Sequence, residues 1–240
     1  GGRVRLGLFP TPLHEVTAIP SFSEKLVKFY IKRDDMSSFD TTGNKIRKLE
    51  FLLGEALQNK HDCVITAGGV QSNHARATAV AGRQLGLAPH LLLRLDGLTN
   101  EEAYNRELNI GLNGNLMFDR MVNAQIYTTS VDKYTQEGSN QLMEQIAEQL
   151  RSEKKLNPYV IPVGNDLGTW GYIHAVEEIR AQLEELSTQE RSDPARNATT
   201  HIVFASGSGK FCGYICYICH WCVTYLSLSI YLYLFIYLSI

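Results

Sequence analysis

The run Gly43-Asn44-Lys45-Ile46-Arg47-Lys48-Leu49-Glu50 sets a lysine at the start of a helical pattern, directly after a glycine turn. An ammonium placed there lies near the positive end of the helix dipole. That position disfavours the charged form and makes the amine a better nucleophile. The chemistry it serves is imine formation with a carbonyl cofactor. Taken alone, the run equally describes a surface lysine at a helix start, because a short motif needs its structural context.

A second run supplies such a context. Thr66-Ala67-Gly68-Gly69-Val70-Gln71-Ser72-Asn73-His74 follows an apolar strand, Cys63-Val64-Ile65, and leads into a helical pattern from His74 to Leu85. Its two glycines let backbone amides approach a ligand closely. Ser72 and Asn73 then stand where the exposed N–H groups of a helix start favour anions, a suitable seat for a substrate carboxylate. The plain alternative is a strand–turn–helix joint with Ser72 or Asn73 as the N-cap, and one residue can do both jobs.

These runs resemble the D-cysteine desulfhydrase and 1-aminocyclopropane-1-carboxylate deaminase family, pyridoxal-phosphate enzymes of the tryptophan-synthase-β type. The stretches that carry the resemblance are Ile31 to Asp35, Gly43 to Glu50, Thr66 to Arg76, Pro158 to Gly164, Leu167 to Ile173, and Ala205 to Gly209. They fall in the family's order and span residues 3–209. The resemblance implies Lys45 as the lysine that joins pyridoxal phosphate and, once displaced, the general base on the substrate's α-proton. Lys48 is its nearest competitor; Arg47 and Lys48 read as structural or solvated. Ser72 is the second catalytic candidate.

On the same resemblance Ser72, Asn73 and His74 face the substrate, Ser72 and Asn73 holding its carboxylate, with Asn73 also touching the cofactor's phenolic oxygen. Ser206, Gly207, Ser208 and Gly209 offer N–H groups and hydroxyls to the cofactor phosphate. The deaminase branch favours Gln where this chain has His74, which leans towards the desulfhydrase branch. The implied reaction takes D-cysteine to pyruvate, hydrogen sulfide and ammonia. The alternatives are 1-aminocyclopropane-1-carboxylate deaminase, giving 2-oxobutyrate and ammonia, and an inactive truncated product. The implied partners are a small amino-acid substrate and, by family habit, a second copy in a homodimer.

The elements that must position these residues alternate. Strand-like runs are Leu26 to Lys32, Asp62 to Thr66, Pro89 to Leu95, Ala124 to Thr128, Tyr159 to Val163 and His201 to Ala205. Helical runs are Asn44 to Leu57, His74 to Leu85, Asn115 to Met121, Ser139 to Ser152 and Trp170 to Leu186. Alternation of this kind predicts an α/β fold with parallel sheets covered on both faces. With the resemblance it implies two three-layer parallel-sheet domains, the larger one truncated: 1–47 with 162–209 as the larger cofactor domain, and 48–161 as the smaller. Asp96 to Asn113 reads as a long loop beside the site, and Trp170 and Tyr172 as core residues of their helix.

Composition narrows the class. The 240 residues are 44% hydrophobic with a net charge of −2, so the chain can build one or two cores and offers no basic patch for nucleic acid. Cys63 is the single cysteine before Cys212, which predicts a reduced, intracellular body, cytoplasmic or mitochondrial, rather than a disulfide scaffold.

After Gly209 the pattern changes. The family's glycine-rich phosphate cradle breaks off at Lys210-Phe211, and residues 211–240 hold no Asp, Glu, Lys or Arg. From Tyr225 the tail approaches a four-residue repeat of the Tyr-Leu-Ser-Ile kind, the in-frame product of a TATC repeat, so residues 210–240 read as a divergent apolar tail of translated intron. Residues 223–240 suit a sticky strand and, at the lower limit of length, a membrane contact. Cys212, Cys216, Cys219, His220 and Cys222 are too irregularly spaced for a two-armed zinc site, so no metal is expected. The stretch Val163-Gly164-Asn165-Asp166 is shorter than the family's Val-Gly-Gly-Ser-Asn run, which alters a loop beside the cleft.

Overall fold

The alternating periods resolve, among the described residues, into eight strands and six helices. The computed structural model describes residues 2–17, 27–38, 43–97, 111–162, 165–189, 199–203 and 234–239. In chain order the elements are β1 (Leu13–Glu15), β2 (Val27–Lys32), α1 (Lys45–Gln58), β3 (Cys63–Gly69), α2 (Asn73–Gln84), β4 (Ala88–Leu95) and α3 (Asn115–Met121). There follow β5 (Gln125–Ser130), α4 (Val131–Glu137), α5 (Ser139–Lys154), β6 (Pro158–Val160), α6 (Trp170–Gln189), β7 (Thr199–Val203) and β8 (Leu234–Ser239). Two compact units result: residues 1–6 with 49–167, and residues 7–48 with 168–240.

In the first unit four strands form an all-parallel sheet in the order β5-β4-β3-β6. Successive leucines of β4 point to opposite faces, as the two-residue period of a strand requires. Leu92 joins Cys63, Ile65 and Ala67 of β3 against Leu142, Met143, Ile146 and Leu150 of α5. Leu91 and Leu93 pack with Ala75 and Ala79 of α2 and Leu116 of α3. Helices therefore cover both faces, and β4 can be apolar without alternation. The buried residues of α5 recur at three and four, one face of a helix.

In the second unit the sheet order is β1-β2-β8-β7, and its described pairings are all antiparallel. The parallel arrangement expected of both sheets thus holds directly only in the first. Both neighbours of β2 run against it: β1, which precedes it in the chain, and β8, a piece of the apolar tail. Strand β8 runs opposite to both β2 and β7, which therefore run in the same direction as each other. Six uncharged residues, Leu-Phe-Ile-Tyr-Leu-Ser, three of them β-branched or aromatic, suit a strand paired along both edges. Helix α6 buries Tyr172, Ala175, Val176 and Ile179 along one stripe. Trp170, expected in that core, is instead 53% exposed because it opens the helix ahead of the stripe. Among the described residues no helix is long and apolar enough to cross a membrane.

Candidate active site

Lys45 is the first residue of α1. The turn before it needs Gly43, whose φ of +104° lies where residues with a side chain are strained. The Gly43 N–H donates to the carbonyl of Asp34 at 3.2 Å and to Ser37 Oγ at 3.1 Å. Ser37 Oγ in turn donates to the Gly43 carbonyl at 3.2 Å. Asn44 Nδ2 donates to the hydroxyl of Tyr172 at 2.7 Å.

Arg47, one helical position past Ile46, is almost wholly buried and holds two carboxylates at once. Its Nε and Nη2 donate to Asp34 Oδ2 and Oδ1, both at 2.8 Å. Its Nη1 and Nη2 donate to Glu178 Oε1 at 2.8 Å and Oε2 at 2.9 Å. The guanidinium also lies 4.3 Å from the centre of the Phe9 ring. Lys32 completes the group, its Nζ 3.0 Å from Glu178 Oε2 and 2.8 Å from the Thr11 carbonyl.

Two buried cations thus meet two partly buried carboxylates. Burial opposes the charge on Arg47, but the hydrogen bonds to Asp34 and Glu178 outweigh it and raise its pKa. Burial likewise works against the Glu178 carboxylate, and the Arg47 contacts reverse it, holding that pKa below the usual range. For Lys32 burial dominates and the pKa falls despite Glu178.

The Lys45 amine stands apart from this cluster. Among the described residues it has no hydrogen bond and no ion pair. Burial lowers its pKa, with no opposite charge to restore it. Desolvation is thus what disfavours the charged form of Lys45. An amine whose pKa is lowered by desolvation has the chemistry to join an aldehyde.

The second candidate run lies in the first unit. Ser72 is the N-cap of α2, with Oγ accepting from the Ala75 N–H at 3.1 Å. Of the two possible caps, Ser72 is the one used, and the bond leaves its own hydroxyl proton available to donate. Gly68 is required beside it: a Cβ there would lie 2.5 Å from Ser72 Oγ. Asn73 is exposed, and its Oδ1 accepts from Asn115 Nδ2 at 2.9 Å. His74 follows in the first turn, partly buried.

Asn115, at the start of α3, was not singled out from the sequence. Its Nδ2 also donates to the Gln71 carbonyl at 2.8 Å, and its backbone N–H donates to Gln71 Oε1 at 2.8 Å. It clamps the turn that carries Ser72 and Asn73. The available signal was the turn-forming Asn113-Gly114-Asn115 just ahead of the helix. Ser206, Gly207, Ser208 and Gly209 lie outside the described residues, as do Val163, Gly164 and the Cys212 to Cys222 group. Asn165 Oδ1 accepts from the Leu167 N–H at 2.8 Å.

A two-unit α/β chain with a desolvated lysine at one helix start and a glycine–serine turn at another has the parts of a pyridoxal-phosphate enzyme. The comparisons agree. Residues 4–217 match the family model described as pyridoxal-phosphate dependent enzyme. The chain is 43% identical over 208 residues to an Arabidopsis thaliana protein named bifunctional D-cysteine desulfhydrase/1-aminocyclopropane-1-carboxylate deaminase, mitochondrial, covering 85% of this chain and 47% of that protein. It is 42% identical over 184 residues to a Thermotoga maritima protein provisionally named 1-aminocyclopropane-1-carboxylate deaminase, covering 75% and 53%. A crystal structure described as an ACC deaminase homologue superposes with a TM-score of 0.65 at 35% identity, covering 88% of this chain and 56% of that one.

The chain belongs to the pyridoxal-phosphate dependent enzyme family, and pyridoxal phosphate is the cofactor. Its relatives are of the D-cysteine desulfhydrase and 1-aminocyclopropane-1-carboxylate deaminase type, the branch the six runs pointed to. The chain spans about half the length of the curated relatives it matches. Lys45 fits the cofactor's aldehyde, because its amine is desolvated and unpaired among the described residues.

Proposed function

We propose that this chain carries the lysine and carboxylate-binding turn of a lyase that degrades D-cysteine to pyruvate, hydrogen sulfide and ammonia. The observation that carries the reading is Lys45, an amine freed by burial in a run whose neighbours are otherwise tied down. Pyridoxal phosphate, when bound, supplies a sink for the electron pair left on the substrate α-carbon. Lys45 holds the cofactor covalently at rest. Once released by an incoming amino acid, its neutral amine takes the α-proton at Nζ. Ser72 donates its hydroxyl proton to the substrate carboxylate, Asn73 adds an amide, and the helix start they stand on favours that charge. Ser206 to Gly209 are assigned to the cofactor phosphate. Overall, D-cysteine and water give pyruvate, ammonia and hydrogen sulfide, with water supplying the keto oxygen.

The second reading is ring opening of 1-aminocyclopropane-1-carboxylate with water to 2-oxobutyrate and ammonia. It is favoured by the deaminase names of several relatives, whereas His74 favours D-cysteine. We assign a homodimer, no nucleic-acid partner and a cytoplasmic or mitochondrial location. The test is reductive trapping: the chain is incubated with pyridoxal phosphate, reduced with borohydride and mapped by peptide mass spectrometry. An adduct confined to Lys45 and lost in Lys45→Ala is expected; scattered adducts would defeat the reading. Sulfide release from D-cysteine against 2-oxobutyrate formation from the cyclopropane amino acid then separates the two substrates.

A further inference from the structure

The first turn of α1 is tied down on every side but one. Gly43 is held by the Asp34 carbonyl and the Ser37 hydroxyl, and Asn44 by the Tyr172 hydroxyl. Ile46 is fully buried. Arg47 is gripped by Asp34 and Glu178. Asp34 serves twice, its backbone oxygen on Gly43 and its carboxylate on Arg47. Helix α6 comes within reach only because Gly171 has no side chain, since a Cβ there would overlap the Arg47 carbonyl. Lys45 alone in this run extends an amine without a partner among the described residues.

We propose that Arg47, Asp34, Glu178 and Tyr172 are positioning residues, which fix the first turn of α1 against the end of β2 and against α6 so that the Lys45 amine is presented at one place. The purpose named here, presentation to the cofactor aldehyde, rests on the function proposed above. A buried ion cluster is a poor source of stability, since apolar residues of the same volume often do as well. What the two bidentate contacts of the single Arg47 guanidinium add is fixed distance and fixed angle at both carboxylates. Lys32 and Arg47 balance Asp34 and Glu178, so the cluster anchors the turn with no net charge of its own. For a nucleophile, placement is decisive: an error of about 1 Å can cost on the order of a hundredfold in rate.

The experiment uses the full chain and three versions of it: Arg47→Lys, which keeps the charge and loses the bidentate contacts; Tyr172→Phe, which loses one hydroxyl; and Lys45→Ala. Each lysine is labelled with dilute acetic anhydride across a pH series and read by peptide mass spectrometry, with circular dichroism reporting the fold. Pyridoxal phosphate trapping is timed in parallel. In Arg47→Lys and Tyr172→Phe the labelling midpoint of Lys45 is expected to rise by about one pH unit as the amine finds water. The trapping rate at Lys45 should fall at least about tenfold. Tyr172→Phe keeps the shape of the core, so it decides the matter if Arg47→Lys does not fold. A folded variant with unchanged midpoint and unchanged trapping rate overturns the proposal. Labelling needs no cofactor. If the midpoints move as expected but the unaltered chain never traps pyridoxal phosphate at Lys45, the positioning stands and the cofactor reading falls.

Discussion

Gly171, the second residue of α6, packs against the backbone carbonyl of Arg47 so closely that a Cβ on Gly171 would overlap it. Glycine inside a helix ordinarily costs about 0.5–1 kcal/mol against alanine, so Gly171→Ala would stabilise an unconstrained helix. Here the opposite sign is expected, a loss of about 1–3 kcal/mol from overpacking. Urea denaturation measures it as a lower midpoint at unchanged slope. A rise in the midpoint would mean that α6 and the first turn of α1 separate readily.

Lys45 predicts a pH dependence of stability. Burial lowers its pKa in the folded chain below the ordinary 10.5. The unfolded chain then binds the extra proton over the interval between the lowered value and 10.5, so stability rises with pH across that interval. Below it the amine is charged in both states and the full cost of burial remains. Lys45→Met removes the charge and keeps the volume, and should stabilise the chain at pH 7 by about 1 kcal/mol. The gain should shrink at alkaline pH, as paired urea titrations at pH 7 and pH 10 would reveal.

Ser72 is expected to separate two roles. Its Oγ caps α2 by accepting from the Ala75 N–H. Ser72→Ala should lower thermal stability by about 1 kcal/mol. Asparagine caps nearly as well, so Ser72→Asn should restore stability. If the proposed grip on a substrate carboxylate is correct, Ser72→Asn should still bind amino acids more weakly, a difference calorimetry can read.

Asp119 is a buried carboxyl on α3, 1% exposed, with neither oxygen hydrogen-bonded among the described residues. Burial pushes its pKa up to about 7, and the positive charge of Arg76 offsets this only in part. The folded chain therefore holds a proton that the unfolded chain has lost, and stability falls as pH rises from 3.8 through about 7. Asp119→Asn should stabilise the chain by about 1–3 kcal/mol at pH 8 and by little at pH 4. Equal effects at both pH values would contradict a buried neutral carboxyl.

The elements legible in the sequence were those with a strong period. Helix α3 lies at Asn115–Met121 as read, and β4, α2 and α5 differ from their expected bounds by one or two residues. Helix α4 was missed because it buries none of its residues and so shows no apolar stripe. Strand β1 is three residues long and is defined by pairing with β2, which no local pattern encodes. Near the candidate site, the helix starts at Lys45 and Asn73, with Ser72 as a cap, were legible from local turns. The partners of Arg47 were not: Asp34 lies 13 residues away and Glu178 131 residues away, distances that only the folded chain closes.

Strand β8 sets the timing of folding for the second unit. Its partner β2 lies about 200 residues earlier, with Leu234 opposite Lys32. During synthesis the β2 edge therefore emerges from the ribosome long before the segment that pairs with it. Such a late, distant closure makes for slow acquisition of structure and a lengthy exposure of strand edge to other chains. The first unit draws its parallel sheet from residues 63–160 and can be complete while that wait continues. Pulse-labelled amide exchange during refolding should therefore protect β3 and β4 well before β2.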